Sequence, residues 1–153
     1  MDDDPMSIAF AEARAAAARG EAPIGAAVVR DGVVVARAGN RTIGDSDPTA
    51  HAEMLALRAA GAKLGNARLA DCDLYVTLEP CAMCAGALSH ARIRRLYYGA
   101  PDPKGGAVDH GARFFRSPTC HHAPQVYGGI RESEAGELLR GFFTARRGSG
   151  ARD

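Results

Sequence analysis

His51-Ala52-Glu53 and Pro80-Cys81-Ala82-Met83-Cys84 are the two strings in this chain whose residue types and spacing can do chemistry together. One His and two Cys form an established set of three protein ligands for a catalytic zinc, which keeps its fourth tetrahedral position for water. Glu53, two residues past the His, is then a spare carboxylate able to move protons to and from that water. A lone H-x-E is common and means little. A P-C-x-x-C that follows a strand and opens a helix is much rarer, and the two strings together point to a metal site. The competing reading of the same residues makes Glu53 a fourth ligand, which closes the site and leaves zinc a structural part.

Each string falls where a helix is expected to begin, so unsatisfied backbone N–H groups and the positive end of the helix dipole favour thiolate there. Cys81 and Cys84 stand at i and i+3, a spacing that brings two sulfurs to one face. His51 and Glu53 diverge by about 200° on an ideal helix, and both reach one small cavity only because the backbone at a helix start is not yet fully helical.

The elements that must position these strings can be read in order. Pro5 to Arg19 is predicted as a helix with Asp4 as N-cap, Pro5 at the first helical position and Gly20 as stop. Ile24 to Arg30 and Val33 to Ala38 are β-rich runs joined by Asp31-Gly32, a two-residue hairpin signal. Asn40 to Ser46 is a polar loop, and Asp47-Pro48 predicts a helix from near Pro48 to Lys63, carrying His51 and Glu53 in its first turn. Leu74 to Leu78 is a strand that stops at Glu79-Pro80, Cys81 to Ala91 a helix, and Arg94 to Tyr98 another strand. Gly99 to Ser117 reads as a long loop, Gln125 to Tyr127 as a short last strand, and Ser133 to Arg146 as an amphipathic helix. Such alternation predicts a three-layer α/β domain, single over residues 1–153, on a mixed sheet of about five strands.

Composition narrows the rest. Four cysteines, two of them in a C-x-x-C, fit a reducing compartment better than a disulfide framework. The acidic start Met1-Asp2-Asp3-Asp4-Pro5 lacks the pattern of a secretory signal and no run reaches spanning length, so a soluble cytoplasmic protein with no membrane partner is expected. A net charge of +1 says nothing about nucleic acid. Arg92-Arg94-Arg95 and Arg146-Arg147-Arg152 form clusters that suit phosphate, though ordinary solvated surface explains them equally.

Beyond the ligands, Asp47-Pro48-Thr49-Ala50-His51-Ala52-Glu53 and Leu74-Tyr75-Val76-Thr77-Leu78-Glu79-Pro80-Cys81-Ala82-Met83-Cys84-Ala85-Gly86-Ala87 resemble the two central blocks of the bacterial tRNA-specific adenosine deaminases. Ala22 to Ala26 and Gly39-Asn40-Arg41 resemble the early strand and pocket loop of that family, and the likeness runs from about Ser7 to Arg147. It implies a three-layer α/β/α cytidine-deaminase-like fold and hydrolytic conversion of adenosine to inosine in a tRNA anticodon loop, at the wobble position, by a homodimer with one Zn2+ per subunit. The H-x-E…P-C-x-x-C signature assigns His51, Cys81 and Cys84 to the metal and Glu53 to proton transfer. The resemblance further implies that Asn40 and the backbone of Ala52 meet the flipped nucleoside. It also places RNA contacts on the last helix at Phe142, Phe143, Arg146 and Arg147, and Lys104, in a loop where such contacts are expected, is a further candidate. For the two phenylalanines, plain helix packing is the competing explanation. The segment Pro101 to Tyr127 departs from the best-known members of the family, where loop contacts to RNA are expected.

Two rival functions use the same residues. A deaminase of a free base or nucleoside such as guanine, cytosine or adenosine needs the same zinc and Glu53. A non-catalytic zinc module needs Glu53 bound to the metal or turned away. Cys120-His121-His122 has a ligand-like composition but lies in a loop between Pro118 and Pro124 and reads as structural. Cys72 and His90 read as packing or surface residues, and His110 has no assignment.

Overall fold

The computed structural model describes residues 4–148, with side chains to Ala145. Helix α1 (Pro5–Ala18) starts as expected: the Asp4 carboxylate accepts from the Ser7 N–H, and Pro5 fills a position whose N–H would be unpartnered anyway. Strands β1 (Gly25–Arg30) and β2 (Val33–Gly39) form the hairpin, with Asp31 and Gly32 both at positive φ as a tight primed turn demands. Then come α2 (Ala52–Leu64), β3 (Cys72–Leu78), α3 (Ala82–Ala91), β4 (Arg95–Ala100), a 3₁₀ turn at Phe114–Arg116, β5 (Gln125–Tyr127) and α4 (Glu132–Gly148).

The five strands make one sheet in the order β2-β1-β3-β4-β5, antiparallel across β1 and parallel from β3 onward, so the expected mixed sheet is present. Alternation along the strands sorts the core into two layers. Leu74, Val76, Leu96 and Tyr98 face α2 and α3, where Ala52, Ala56, Leu57, Ala60, Leu88 and Ala91 meet them. On the other face, Phe10, Met6 and Ala9 of α1 and Ala135 of α4 gather with Tyr75 and Tyr97. Helix α1 lies close on the sheet because Gly25 has no side chain: a Cβ there would collide with the backbone of Ala9 and Ala13. Among the described residues no helix is long and apolar enough to cross a membrane.

One boundary differs from expectation and matters for the site. Helix α2 begins at Ala52, not near Pro48, and His51 is its N-cap with extended backbone (φ −74°, ψ 152°). Asp47 caps a turn: its carboxylate accepts from both the backbone N–H and the hydroxyl of Thr49, at 2.8 Å each. The helix starts late because an extended residue 51 aims the imidazole at the cysteines. Strand β3 also begins two residues earlier than predicted, as Cys72 and Asp73 pair with Arg30 and Val29.

Candidate active site

Helices α2 and α3 lie on one face of the sheet, and their N-terminal ends bring His51, Cys81 and Cys84 together. His51 and Cys81 are both N-caps with extended backbone and no side-chain cap hydrogen bond. N-cap positions ordinarily take Ser, Thr, Asp or Asn. Here both hold side chains turned to another purpose. The Cys81 and Cys84 sulfurs lie 3.6 and 3.5 Å from His51 Nδ1, and all three ligand atoms are within 4.8 Å of one another. A tetrahedral zinc at about 2.3 Å from sulfur and about 2.05 Å from nitrogen separates such atoms by about 3.6 Å. The donor set and its spacing therefore fit zinc, with Nδ1 as the ligating nitrogen.

The electrostatics agree. Cys84 hydrogen-bonds to Cys81, which together with His51 outweighs burial and brings the Cys81 thiol down to about 4. The same hydrogen bond and burial push Cys84 far up. Two sulfurs this close share one proton, which a dication held by them would displace. His51 is raised by its hydrogen bond to Cys81.

Glu53 is buried, 4% exposed, and burial pushes its carboxyl up to about 7, against the opposing pull of its own backbone N–H. It lies against Cys84 but outside the ligand cluster, since its oxygens do not come within 4.8 Å of all three ligand atoms. Such a carboxyl is poised to give and take protons near neutral pH.

Asn40, 6% exposed, follows β2 and lies beside the start of α2. Its Oδ1 accepts the Ala52 N–H at 2.8 Å, supplying the cap that His51 does not. The Ala52 N–H is thus already engaged. Among the described residues the Asn40 NH₂ has no protein partner, which leaves it for a ligand. Lys104 is exposed on the loop after β4. Phe142 and Phe143 are half-buried on α4 with rings edge to face at 5.4 Å. Arg146 and Arg147 continue the α4 backbone, and their side chains lie outside the described residues.

Residues 1–100 match the family model of the cytidine and deoxycytidylate deaminase zinc-binding region. A tRNA-specific adenosine deaminase of Agrobacterium fabrum is 62% identical over 142 residues, 93% of this chain and 93% of that one. The chain belongs to the tRNA-specific adenosine deaminase family. A solved member of that deaminase family, from studies of A-to-I editing by tRNA:A34 deaminases at the wobble position of transfer RNA, superposes with a TM-score of 0.87 at 62% identity, covering 88% of this chain and 98% of that one. A guanine deaminase from Nitrosomonas europaea superposes with a TM-score of 0.76 at 26% identity, covering 94% and 85% of the two chains.

Two buried carboxylates escaped the sequence reading. Glu21 accepts the N–H groups of Ile43 and Gly44 at 3.1 and 2.7 Å, tying down the loop from Asn40 to His51. Glu79 gathers the N–H groups of Asp102, Val108, Asp109 and His110 and the His110 ring. The available signal was a charged residue closing an apolar strand just before Pro80-Cys81. By contrast, Cys120, His121 and His122 form no metal cluster among the described residues: Cys120 and the His122 backbone lean on Ser89, and the His122 ring meets the Ile93 carbonyl at 2.8 Å.

Proposed function

We propose that this chain deaminates adenosine to inosine at the wobble position of a tRNA anticodon, as a cytoplasmic homodimer of single-domain subunits with one Zn2+ each. The observation that carries this reading is the zinc-spaced His51–Cys81–Cys84 cluster with a buried non-ligand Glu53 beside it, in a chain of this family. When bound, zinc supplies the Lewis acidity that makes water a nucleophile at neutral pH.

The chain's own residues do the rest. Glu53 takes the proton of the attacking water, hands it to the adenine ring nitrogen and then carries a proton to the leaving amino group, so that ammonia departs and a carbonyl remains. The Asn40 NH₂ holds the extruded nucleoside, while its Oδ1 ties that contact to the start of α2. A single-stranded anticodon loop offers the base at low unstacking cost. Lys104, Arg146 and Arg147 meet the RNA backbone, with Phe142 and Phe143 available for stacking. An apolar groove of about 700 Å³ between α2 and α3, lined by Met54, Leu57, Leu69, Ala87 and Ala91 among others, supports self-association through that face.

The test is inosine formation in an anticodon stem-loop with wobble adenosine, run beside free adenosine, cytidine and guanine. Inosine in the stem-loop alone is expected. Turnover of a free base or nucleoside in its place keeps the chemistry and overturns the substrate.

A further inference from the structure

Asn40 opens a loop that has little packing of its own. Residues 41 and 43–46 are exposed, and the apolar side chain at its tip, Ile43, is 65% exposed. Hydrogen bonds hold this loop where a core does not. Those from the N–H groups of Asp45, Ser46 and Asp47 to the carbonyls of Arg41, Ile43 and Thr42 close turns inside it. They shape the loop without fastening it to anything else.

The fastening comes from the connector after α1. Gly20 takes φ +84°, its N–H donates to the Ala17 carbonyl at 3.0 Å, and the Glu21 N–H reaches back to the Ala16 carbonyl at 2.9 Å. These are the paired bonds of a Schellman helix end, so both residues beside Gly20 are fixed to α1. Both also reach the loop. Arg19 Nη2 donates to the Asn40 carbonyl at 3.1 Å. Glu21, 2% exposed, accepts the Ile43 N–H on Oε1 at 3.1 Å and the Gly44 N–H on Oε2 at 2.7 Å. Among the described residues, the hydrogen bonds that tie residues 42–46 to a part of the chain outside the loop are those of Glu21. Asn40 is thus gripped at its N–H by the Ile24 carbonyl, at its carbonyl by Arg19 and at Oδ1 by the N–H of Ala52, the residue after His51.

We propose that Glu21 and Arg19 are positioning residues for the nucleoside, acting through Asn40: they hold the loop to the end of α1 so that the Asn40 NH₂ meets the extruded nucleoside in one place. This rests on the role given to Asn40 above. Position matters because a misplacement of about 1 Å in a group that holds substrate costs up to about 10²-fold.

Glu21→Gln keeps the size of the side chain and one acceptor oxygen but turns an NH₂ towards one of the two N–H groups, releasing the turn on that side. Arg19→Ala removes one donor from an exposed side chain. Each is made in the wild type and in Asn40→Asp, which has no NH₂ to position. Zinc content, thermal midpoint and kcat/KM on the wobble-adenosine stem-loop are measured for every protein. Zinc content should be that of wild type throughout. Beside Asn40, kcat/KM should fall about five- to twentyfold with Glu21→Gln and about two- to fivefold with Arg19→Ala; in Asn40→Asp each should change it by less than about 1.5-fold. A residue that only stabilises the fold costs the same factor in both backgrounds. Losses that multiply with that of Asn40→Asp therefore overturn the proposal, as does full activity of either variant beside Asn40. If Glu21→Gln does not fold, the Arg19→Ala cycle decides by the same criterion. Wild-type protein that makes no inosine in the stem-loop overturns the proposed function, and this inference with it.

Discussion

Asn40 joins fold and chemistry, and two substitutions separate its jobs. The Ala52 N–H that it accepts belongs to a residue with no exposed surface, and His51 at the N-cap makes no side-chain cap hydrogen bond there. Asn40→Ala leaves that N–H buried and unpartnered, which costs about 1–3 kcal/mol; taking about 2 kcal/mol, the thermal midpoint of a chain this size falls by roughly 4–8 °C. Asn40→Asp retains an acceptor oxygen at the same place, and its charge is favoured at a helix start. Its midpoint should stay within about 2 °C of wild type. The aspartate has no NH₂, however, so kcat/KM on the stem-loop should fall about ten- to a hundredfold, or roughly 1.4–2.8 kcal/mol of transition-state binding. Calorimetry and initial rates on the zinc-loaded proteins measure both. An Asn40→Asp protein as unstable as Asn40→Ala refutes the capping argument; one with full activity refutes the contact between the NH₂ and the nucleoside.

Glu53→Ala should keep its zinc and lose turnover by about 10²–10⁴-fold; substantial metal loss, measured by elemental analysis, contradicts its place outside the ligand set. Glu79→Gln puts an NH₂ among donors and should cost about 3–5 kcal/mol near neutral pH. Because the folded carboxyl titrates below its ordinary value of 4.5, this stabilisation is present above that value and disappears as pH falls through the folded one. The gap in thermal midpoint between wild type and Glu79→Gln should therefore close in acid, and a gap independent of pH contradicts an ionised Glu79. Arg146→Ala and Arg147→Ala should each weaken stem-loop binding and lower the slope of log affinity against log salt by about 1; unchanged slopes place the RNA elsewhere.

Much of this was legible because the signals are local. Asp4, Pro5 and Gly20 bound α1, Asp31-Gly32 turns the hairpin, and the i, i+3 cysteines after a strand announce a metal site. The start of α2 misled for a physical reason. Asp47-Pro48 is a sound capping signal, and Asp47 does cap Thr49, but an extended residue 51 is needed to turn the imidazole towards sulfurs 30 and 33 residues away in sequence. Tertiary geometry outweighed local preference. Glu21 and Glu79 stayed hidden because the amides they gather lie 22 to 31 residues further along the chain; a charge closing an apolar strand singles out Glu79 but does not say what it holds. His110 acquires its orientation from Glu79 and was unassignable for the same reason.

The most direct test of the account strips the protein of metal with a chelator, restores zinc in steps, and follows inosine in the wobble-adenosine stem-loop by mass spectrometry. Activity that rises in proportion to zinc and levels off at one ion per chain is the predicted result. Inosine formed without metal, or one zinc bound per chain with no inosine, contradicts it.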